Sequence, residues 1–271
     1  MLDGYKVICV TPAGRKQYLE ILQRYIRREF GGLVDGWHLW QNTNNPENVA
    51  YIKSLGQQDA RITVFESDSV YPFNSGRICN FFRYAVSSDT IYVRFDDDVV
   101  WVEPGAIEKL VRFRIANKDA FLVSGNLINN PVCAFRQARV GAFKPLGAIY
   151  DSYIDEWLFR YGIWLHERFF EQPDRTRFYF PDETFELGKR FGIQFISWFG
   201  SDCGNFAYIV PVDEEEWLTV DATKKFNRPC AICGSALAVH YAYTEQRLGT
   251  TGIPIIPDSF LSRYRELASG L

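Results

Sequence analysis

The chain has 271 residues, 47% of them hydrophobic and 23% charged, a balance that supports one large domain with a sizeable core and excludes general disorder. Its formal net charge of −3 lacks the basic excess of a dedicated nucleic-acid binder, although a phosphate-bearing ligand stays open because a metal ion can supply local positive charge. The sequence has no run of about 18 apolar residues and no basic stretch leading into an apolar one near Met1, so neither a membrane span nor a signal peptide is expected and a cytoplasmic location is.

Lys6–Val10 is a short apolar run ending at Thr11-Pro12 and reads as a buried strand. From Arg15 to Arg28, Tyr18, Leu19, Leu22, Tyr25 and Ile26 recur at helical spacing, which predicts an amphipathic helix stopped by Gly31-Gly32. A strand over Gly36–Trp40, a helix over Asn48–Leu55 and a strand over Arg61–Phe65 follow. Gly76–Val86 is predicted helical. Ile91–Phe95 is a fourth strand running straight into Asp96-Asp97-Asp98. Pro104 opens a helix to about Ala116, and Ala120–Ser124 is a fifth strand. Strands alternating with helices predict an α/β fold, a mainly parallel sheet covered on both faces.

The second half is less regular. Asp151–Phe170 reads as a helix, Gln194–Phe199 as a strand, Asp213–Thr219 as the start of a short helix, Ser235–Tyr241 as a strand and Ser259–Ala268 as a closing helix. No low-complexity linker divides the chain. One domain over residues 1–271 is expected, with a nucleotide-binding half to about residue 130 and an acceptor-shaping half over 131–271.

Six cysteines spread over this length are not a disulfide framework. Cys230 and Cys233 stand two residues apart, but a structural zinc needs four ligands and no second such pair exists. Walker, dinucleotide-binding, zinc-protease and nucleophile-elbow patterns are all lacking.

The chemistry concentrates on the acidic run. Asp96 and Asp98 stand two apart, so in extended chain their side chains share one side. The carboxyl end of a parallel strand is where open α/β sheets bind ligands. Paired carboxylates are hard ligands suited to Mg²⁺ or Mn²⁺, and such an ion could bridge the two phosphates of a nucleoside diphosphate and neutralise a leaving group. The alternative is a solvated acidic turn.

The stretch Asn74–Asn80 on its helix, followed by Asp89–Asp98 with its D-x-D ending, resembles the GT-A glycosyltransferases, over roughly residues 5–130. That resemblance implies a Rossmann-like, mainly parallel sheet flanked by helices, a nucleoside-diphosphate sugar as donor, and a carbohydrate, glycoprotein or glycolipid acceptor. It implies that Asp96 meets the ribose or donor sugar, that Asp98 ligates the metal, and that Asp97 belongs to the same nucleotide-binding run. Thr11 and Pro12 would hold nucleobase and ribose; a plain strand-to-helix turn, with Pro12 and Gly14 as turn residues, is the other reading. Arg15 or Arg77 could reach a phosphate. His240, late in an apolar strand, is similar to the C-terminal histidine that many GT-A enzymes use as a further metal ligand; a carboxylate–imidazole set would favour Mn²⁺ over Mg²⁺. Asp213-Glu214-Glu215-Glu216 resembles the acidic cluster of inverting family 2 enzymes, implying Glu214 as general base with Asp213 beside it and Glu215 as the neighbouring candidate. Read without the resemblance, Asp213 with Glu216 three residues on forms a capping box at a helix start. Asp202 is a weaker alternative base. A nucleotidyltransferase acting on sugar phosphates, with Thr11–Lys16 as a poor match to its loop, and a non-catalytic carbohydrate-binding module on a degenerate transferase fold are the rival readings.

Overall fold

The computed structural model describes residues 1–66, 75–152, 160–204, 213–249 and 252–271. Strand β1 (Lys6–Ala13), helix α1 (Lys16–Arg28), β2 (Gly36–Gln41), α2 (Pro46–Gln58) and β3 (Ile62–Phe65) form a regular alternating unit. Each element contains or closely matches its expected span. The face of α1 expected to be apolar, Tyr18, Leu19, Leu22, Tyr25 and Ile26, is buried, and each such side chain contributes about 1.5–3 kcal/mol relative to exposure. Asn45 caps α2 by accepting from the N–H groups of Glu47 and Asn48, and Pro46 occupies the first helical position.

Helix α3 (Ser75–Phe81) passes into a 3₁₀ turn (Phe82–Tyr84), so the helix expected over Gly76–Val86 is shorter. Asn74, quoted at its start, lies outside the described residues. Strand β4 (Thr90–Phe95) is buried along its whole length. The acidic run then turns the chain into β5 (Val99–Val102), a strand that the sequence reading did not anticipate. Helix α4 (Ala106–Ala116) and β6 (Val123–Ile128) follow. The expected fifth strand lies three residues later than Ala120. Asn126 can occupy the middle of a buried strand because its amide is fully engaged: Nδ2 donates to Phe178 O (2.9 Å) and Gly234 O (2.8 Å), and Oδ1 accepts from Gln137 Nε2 (2.7 Å). Helix α5 (Pro131–Arg139), also not anticipated, opens on the cap Asn130 and Pro131.

Of the helix expected over Asp151–Phe170, α6 (Gly162–Glu171) is observed; residues 153–159 lie outside the described residues. Strand β7 (Glu183–Thr184), β8 (Phe195–Phe199) and the short α7 (Gly200–Cys203) come next. Helix α8 (Glu214–Glu216) runs through a π-helical turn (Trp217–Asp221) into α9 (Ala222–Phe226). The long β9 (Ala231–His240), α10 (Thr244–Leu248) and α11 (Asp258–Ala268) complete the chain.

One sheet runs in the order β3-β2-β1-β4-β8-β6-β9-β5, with β7 added on β9. β3, β2, β1, β4, β6 and β9 point one way; β8 between β4 and β6, with β5 and β7, points the other. The fold is therefore the expected α/β, mostly parallel, GT-A-like sheet flanked by helices, with the antiparallel strands in its later part. The sheet is curled. β4 and β5 are joined by three residues, which reach about 14 Å, yet four strand spacings of ~4.8 Å separate them in the strand order. Curling carries the acidic run under the end of β9. No helix among the described residues is long and apolar enough to cross a membrane.

Candidate active site at the carboxyl ends of β1, β4 and β9

The chain winds outward from β1 through β2 to β3, then returns to place β4 on the other side of β1. That reversal opens a crevice beyond the strand ends, where doubly wound sheets bind ligands. A cavity of about 580 Å³ occupies it. Pro12, Gly14 and Arg15 line it from β1 and the following turn, Asn42, Thr43 and Asn44 from the end of β2, and Ile78 from α3. Arg94, Asp96 and Asp97 line it from β4 and its turn, and Thr244 and Arg247 from α10.

Asp97 fastens the two sides of the crevice. Its Oδ2 accepts from the backbone N–H groups of Gly14 (2.9 Å) and Arg15 (2.8 Å), and its Oδ1 accepts from Arg15 Nε (2.9 Å) and from Arg15 Nη2. Burial pushes the Asp97 carboxyl up, with the Asp98 charge adding and Arg15 opposing. Asp97 thus shapes the loop that other residues use.

Asp98 lies beneath, 3% exposed. Its Oδ2 is 3.0 Å from Arg15 Nη2, 3.0 Å from Arg247 Nη1 and 3.5 Å from His240 Nε2. Burial opposes its charge, but Arg15, His240 and Arg247 outweigh burial and hold the carboxyl well below the usual carboxylate range. Strand pairing creates the contact: Val99 of β5 sits opposite His240 of β9, and the Tyr241 N–H donates to Asp98 O (2.8 Å). His240 Nδ1 lies 3.4 Å from the Asn129 carbonyl oxygen. With a proton on Nδ1 directed there, Nε2 turns a lone pair towards a carboxylate oxygen. That lone pair and the carboxylate oxygen, 3.5 Å apart, together suit a metal ion held between them.

Asp96 is not part of that group. Its side chain is 23% exposed and its Oδ1 accepts from Arg94 Nε at 2.8 Å. Arg94, 2% exposed, also donates to Glu214 Oε1 (2.6 Å) and Oε2 (3.5 Å). The structure brings together Asp98 and His240 but does not assemble Asp96, Asp98 and His240 as a three-ligand set; among the described residues no cluster of three His, Cys, Asp or Glu side chains is poised around one point. A hard oxygen and an imidazole nevertheless fit a divalent cation that takes its remaining ligands from substrate phosphates.

The other expected residues fall as follows. The Thr11 hydroxyl is fully buried and accepts from Trp37 Nε1 (3.0 Å), so it serves the packing of β1 on β2, while Pro12 reaches the cavity. Arg77 lies on α3 next to the lining residue Ile78 and does not itself line the cavity. Asp213 caps α8, accepting from the N–H groups of Glu215 and Glu216 (both 3.0 Å), and pairs with Arg190 (2.6 Å). Glu215 accepts from Arg190 Nε (3.4 Å). Glu214 sits behind Arg94, where burial raises its pKa against the pull of Arg94. None of the three lines the cavity. Asp202 pairs with Arg228 (2.7 Å) on α7. Because β8 runs antiparallel, with Phe199 opposite Ile91, α7 lies at the far end of the sheet from the crevice, which removes Asp202 as a base. Cys230 and Cys233 are free, buried thiols, and burial pushes that of Cys230 up to about 12.

Arg94 and Arg247 were missed. Arg94 had a signal, a charge inside the apolar run Ile91–Phe95, which a buried strand tolerates only with a partner. Arg247 had none, because it meets Asp98 across 149 residues.

No protein-family model and no curated protein matches the chain. Solved structures do. A mycobacterial protein superposes with a TM-score of 0.52 at 14% identity, over 96% of this chain and 75% of that one. Glucosyl-3-phosphoglycerate synthase from Mycobacterium tuberculosis, in complex with Mn²⁺, uridine diphosphate and glucosyl-3-phosphoglycerate, gives 0.50 at 14% identity, over 96% and 80%. A 4-diphosphocytidyl-2C-methyl-D-erythritol synthase gives 0.50 at 13% identity, over 97% and 99%. At these identities the likeness is one of fold.

Proposed function

We propose that this chain is a glycosyltransferase that moves a sugar from a nucleoside-diphosphate donor to an acceptor hydroxyl, with a divalent cation, Mn²⁺ in preference to Mg²⁺, at Asp98 and His240. The observation that carries the reading is the approach of Asp98 Oδ2 to His240 Nε2 (3.5 Å) under a crevice rimmed by Arg15 and Arg247. It supplies two hard or borderline ligands below and two guanidiniums above, a set suited to a diphosphate. When bound, the cation would neutralise charge on the leaving diphosphate as the sugar–oxygen bond breaks. Arg15, fixed through Asp97, would meet the same phosphates. Asp96, the partly exposed carboxylate at the cavity wall, would face the ribose or donor sugar, with its orientation set by Arg94. Pro12 would border the nucleobase.

An acceptor base is needed only if the anomeric centre inverts. In this reading Glu214 acts on Asp96 through Arg94 rather than on the acceptor. The acceptor class (carbohydrate, glycoprotein or glycolipid), the division into a donor half to about residue 130 and an acceptor half beyond it, and a cytoplasmic location belong to the same proposal.

The same fold is compatible with nucleotidyl transfer. Against that reading, the Gly14 and Arg15 N–H groups, which a phosphate-cradling loop would offer to a triphosphate, are both given to Asp97. The products separate the two: free nucleoside diphosphate from glycosyl transfer, pyrophosphate from the alternative.

The direct test is a thermal-shift screen of nucleoside diphosphates and sugar nucleotides with and without Mn²⁺, on wild type and Asp98→Ala. A ligand that binds only the folded state raises the melting temperature, by an amount equivalent to about 2.7 kcal/mol at a hundredfold excess over Kd. The expected outcome is stabilisation by one nucleobase series that requires Mn²⁺ and disappears in Asp98→Ala. A folded protein that responds to none of them sinks the reading.

A further inference from the structure

We infer that Arg247 is a diphosphate ligand which, in the unliganded protein, is parked on Asp98 and blocks it, so that metal and diphosphate enter together rather than metal first; this rests on the glycosyltransferase reading of the site. Three observations carry it. Asp98 is 3% exposed and does not line the crevice, whereas both arginines that touch it do. A cation can therefore reach Asp98 only past a guanidinium.

The two arginines differ in how they are held. Arg15 is tied to Asp97 through its backbone N–H, its Nε and its Nη2. Arg247 has a side chain 29% exposed, and its other bonds, Nη1 to Ala242 O (2.7 Å) and Nη2 to Thr244 Oγ1 (3.0 Å), are local to its own turn. That turn ends at Gly249 in the left-handed conformation. Arg247 is the one that can swing.

Charge gives the direction. Asp97 and Asp98 are balanced by Arg15 and Arg247, so the closed group is neutral. A divalent ion arriving alone adds two positive charges beside two guanidiniums. Arriving with a diphosphate, it brings the anionic oxygens to which Arg247 can transfer its N–H groups when it leaves Asp98. The chain would then bind metal alone weakly and the metal–diphosphate pair strongly, with reciprocal coupling between the two.

The experiment is Mn²⁺ binding followed by electron paramagnetic resonance on the full chain, in wild type, Arg247→Gln, Arg247→Lys and Arg247→Gln/Asp98→Asn, with Mn²⁺ alone and with Mn²⁺ plus uridine, guanosine, adenosine, cytidine or thymidine diphosphate in turn. Removing a cation within hydrogen-bond distance of a ligand carboxylate should tighten Mn²⁺ binding in the absence of nucleotide by about tenfold or more, while loss of a charge-assisted bond weakens the bound diphosphate by about tenfold or more. Arg247→Lys, which keeps the charge, should stay near wild type in the metal-only arm. Arg247→Gln binding Mn²⁺ no more tightly than wild type, with binding still abolished by Asp98→Asn, overturns the parked-arginine inference and leaves the metal site standing. Mn²⁺ binding that is indifferent to Asp98 in every arm overturns the metal site itself and the inference with it. Melting curves of each variant establish that it is folded.

Discussion

His166 on α6 has both ring nitrogens committed: Nδ1 lies 2.7 Å from Tyr264 Oη and Nε2 lies 2.8 Å from Tyr241 O. The carbonyl can only accept, so Nε2 carries the proton and the Tyr264 hydroxyl donates to Nδ1. Burial lowers the His166 pKa to about 4, and burial likewise lowers that of His38 to about 4. Unfolded histidine titrates near 6.5. Between those values the unfolded chain binds more protons, so stability rises with pH, and falls as pH drops from about 6.5 towards 4. Each ring contributes on the order of 3 kcal/mol across that window. Asp98, with its pKa held low, acts in a different range: its pairing stabilises the fold above about 3.9 and is lost as pH falls below it. Urea melts from pH 7 to 4 should show a steep loss, and His166→Phe should flatten its upper part if the ring pocket accepts the substitution. A flat profile from pH 7 to 5 in wild type contradicts the buried neutral rings. Individual residues were unequally legible. Asp96-Asp97-Asp98 announces itself as three acids closing an apolar strand, but the division of labour among them does not: Asp97 looks identical to its neighbours in sequence and is distinguished only by the loop from β1 lying against it.

At the scale of elements, α8 separates two carboxylates that the sequence sets side by side. Asp213 is a cap. Its replacement by Ala should cost about 1 kcal/mol, with little added by the pair with Arg190, because the Asp213 side chain is 42% exposed. Glu214, one residue on, faces inward and shares the buried guanidinium of Arg94 with Asp96. Glu214→Ala leaves that buried charge with Asp96 as its one carboxylate partner, which should cost about 3–5 kcal/mol. Denaturant melts of the two variants should therefore differ by a few kcal/mol in that order, and donor turnover by Asp213→Ala should stay within a few-fold of wild type. Turnover abolished in a stable Asp213→Ala would restore Asp213 to the chemistry. The capping pattern was readable because it is local: a carboxylate and two N–H groups within three residues. β5 was not read although its four apolar residues carry a strand signal, because a strand directly after an acidic turn acquires meaning only through its pairing with β9. α5 does carry a local signature, Asn130-Pro131 at its start, but the segment after it is short and weakly periodic.

Across the whole molecule, the parallel half was legible because each strand–helix unit carries its own periodicity, whereas the insertion of β8 between β4 and β6 depends on pairings about 70 to 110 residues apart. That insertion also ties the crevice to the distant core. Phe195 opens β8 opposite Phe95, the last residue of β4, and the two rings stack with centroids 4.6 Å apart. Next to it, Gln194 O accepts from the Asp96 N–H at 3.0 Å. On its other side the Phe195 ring lies against Gly125 of β6, where an added Cβ would overlap the ring and stand 3.0 Å from Ala236 O. Gly125→Ala must therefore push Phe195, and with it Gln194 and the backbone of the acidic turn. Overpacking of this kind costs about 1–3 kcal/mol. If the sheet transmits the strain, diphosphate binding in the presence of Mn²⁺ should weaken several-fold in a variant that remains folded and touches nothing in the crevice. Gly234→Ala provides the comparison: its Cβ would meet the Phe180 backbone carbonyl instead, away from Phe195 and Gln194, so even a larger loss of stability in a variant that still folds should leave the affinity closer to wild type. Equal weakening in both variants would assign the effect to general destabilisation, and unchanged affinity in Gly125→Ala would mean that the turn at Asp96 is held by its own bonds, Arg94 and the Asp97 loop, independently of the sheet beneath it.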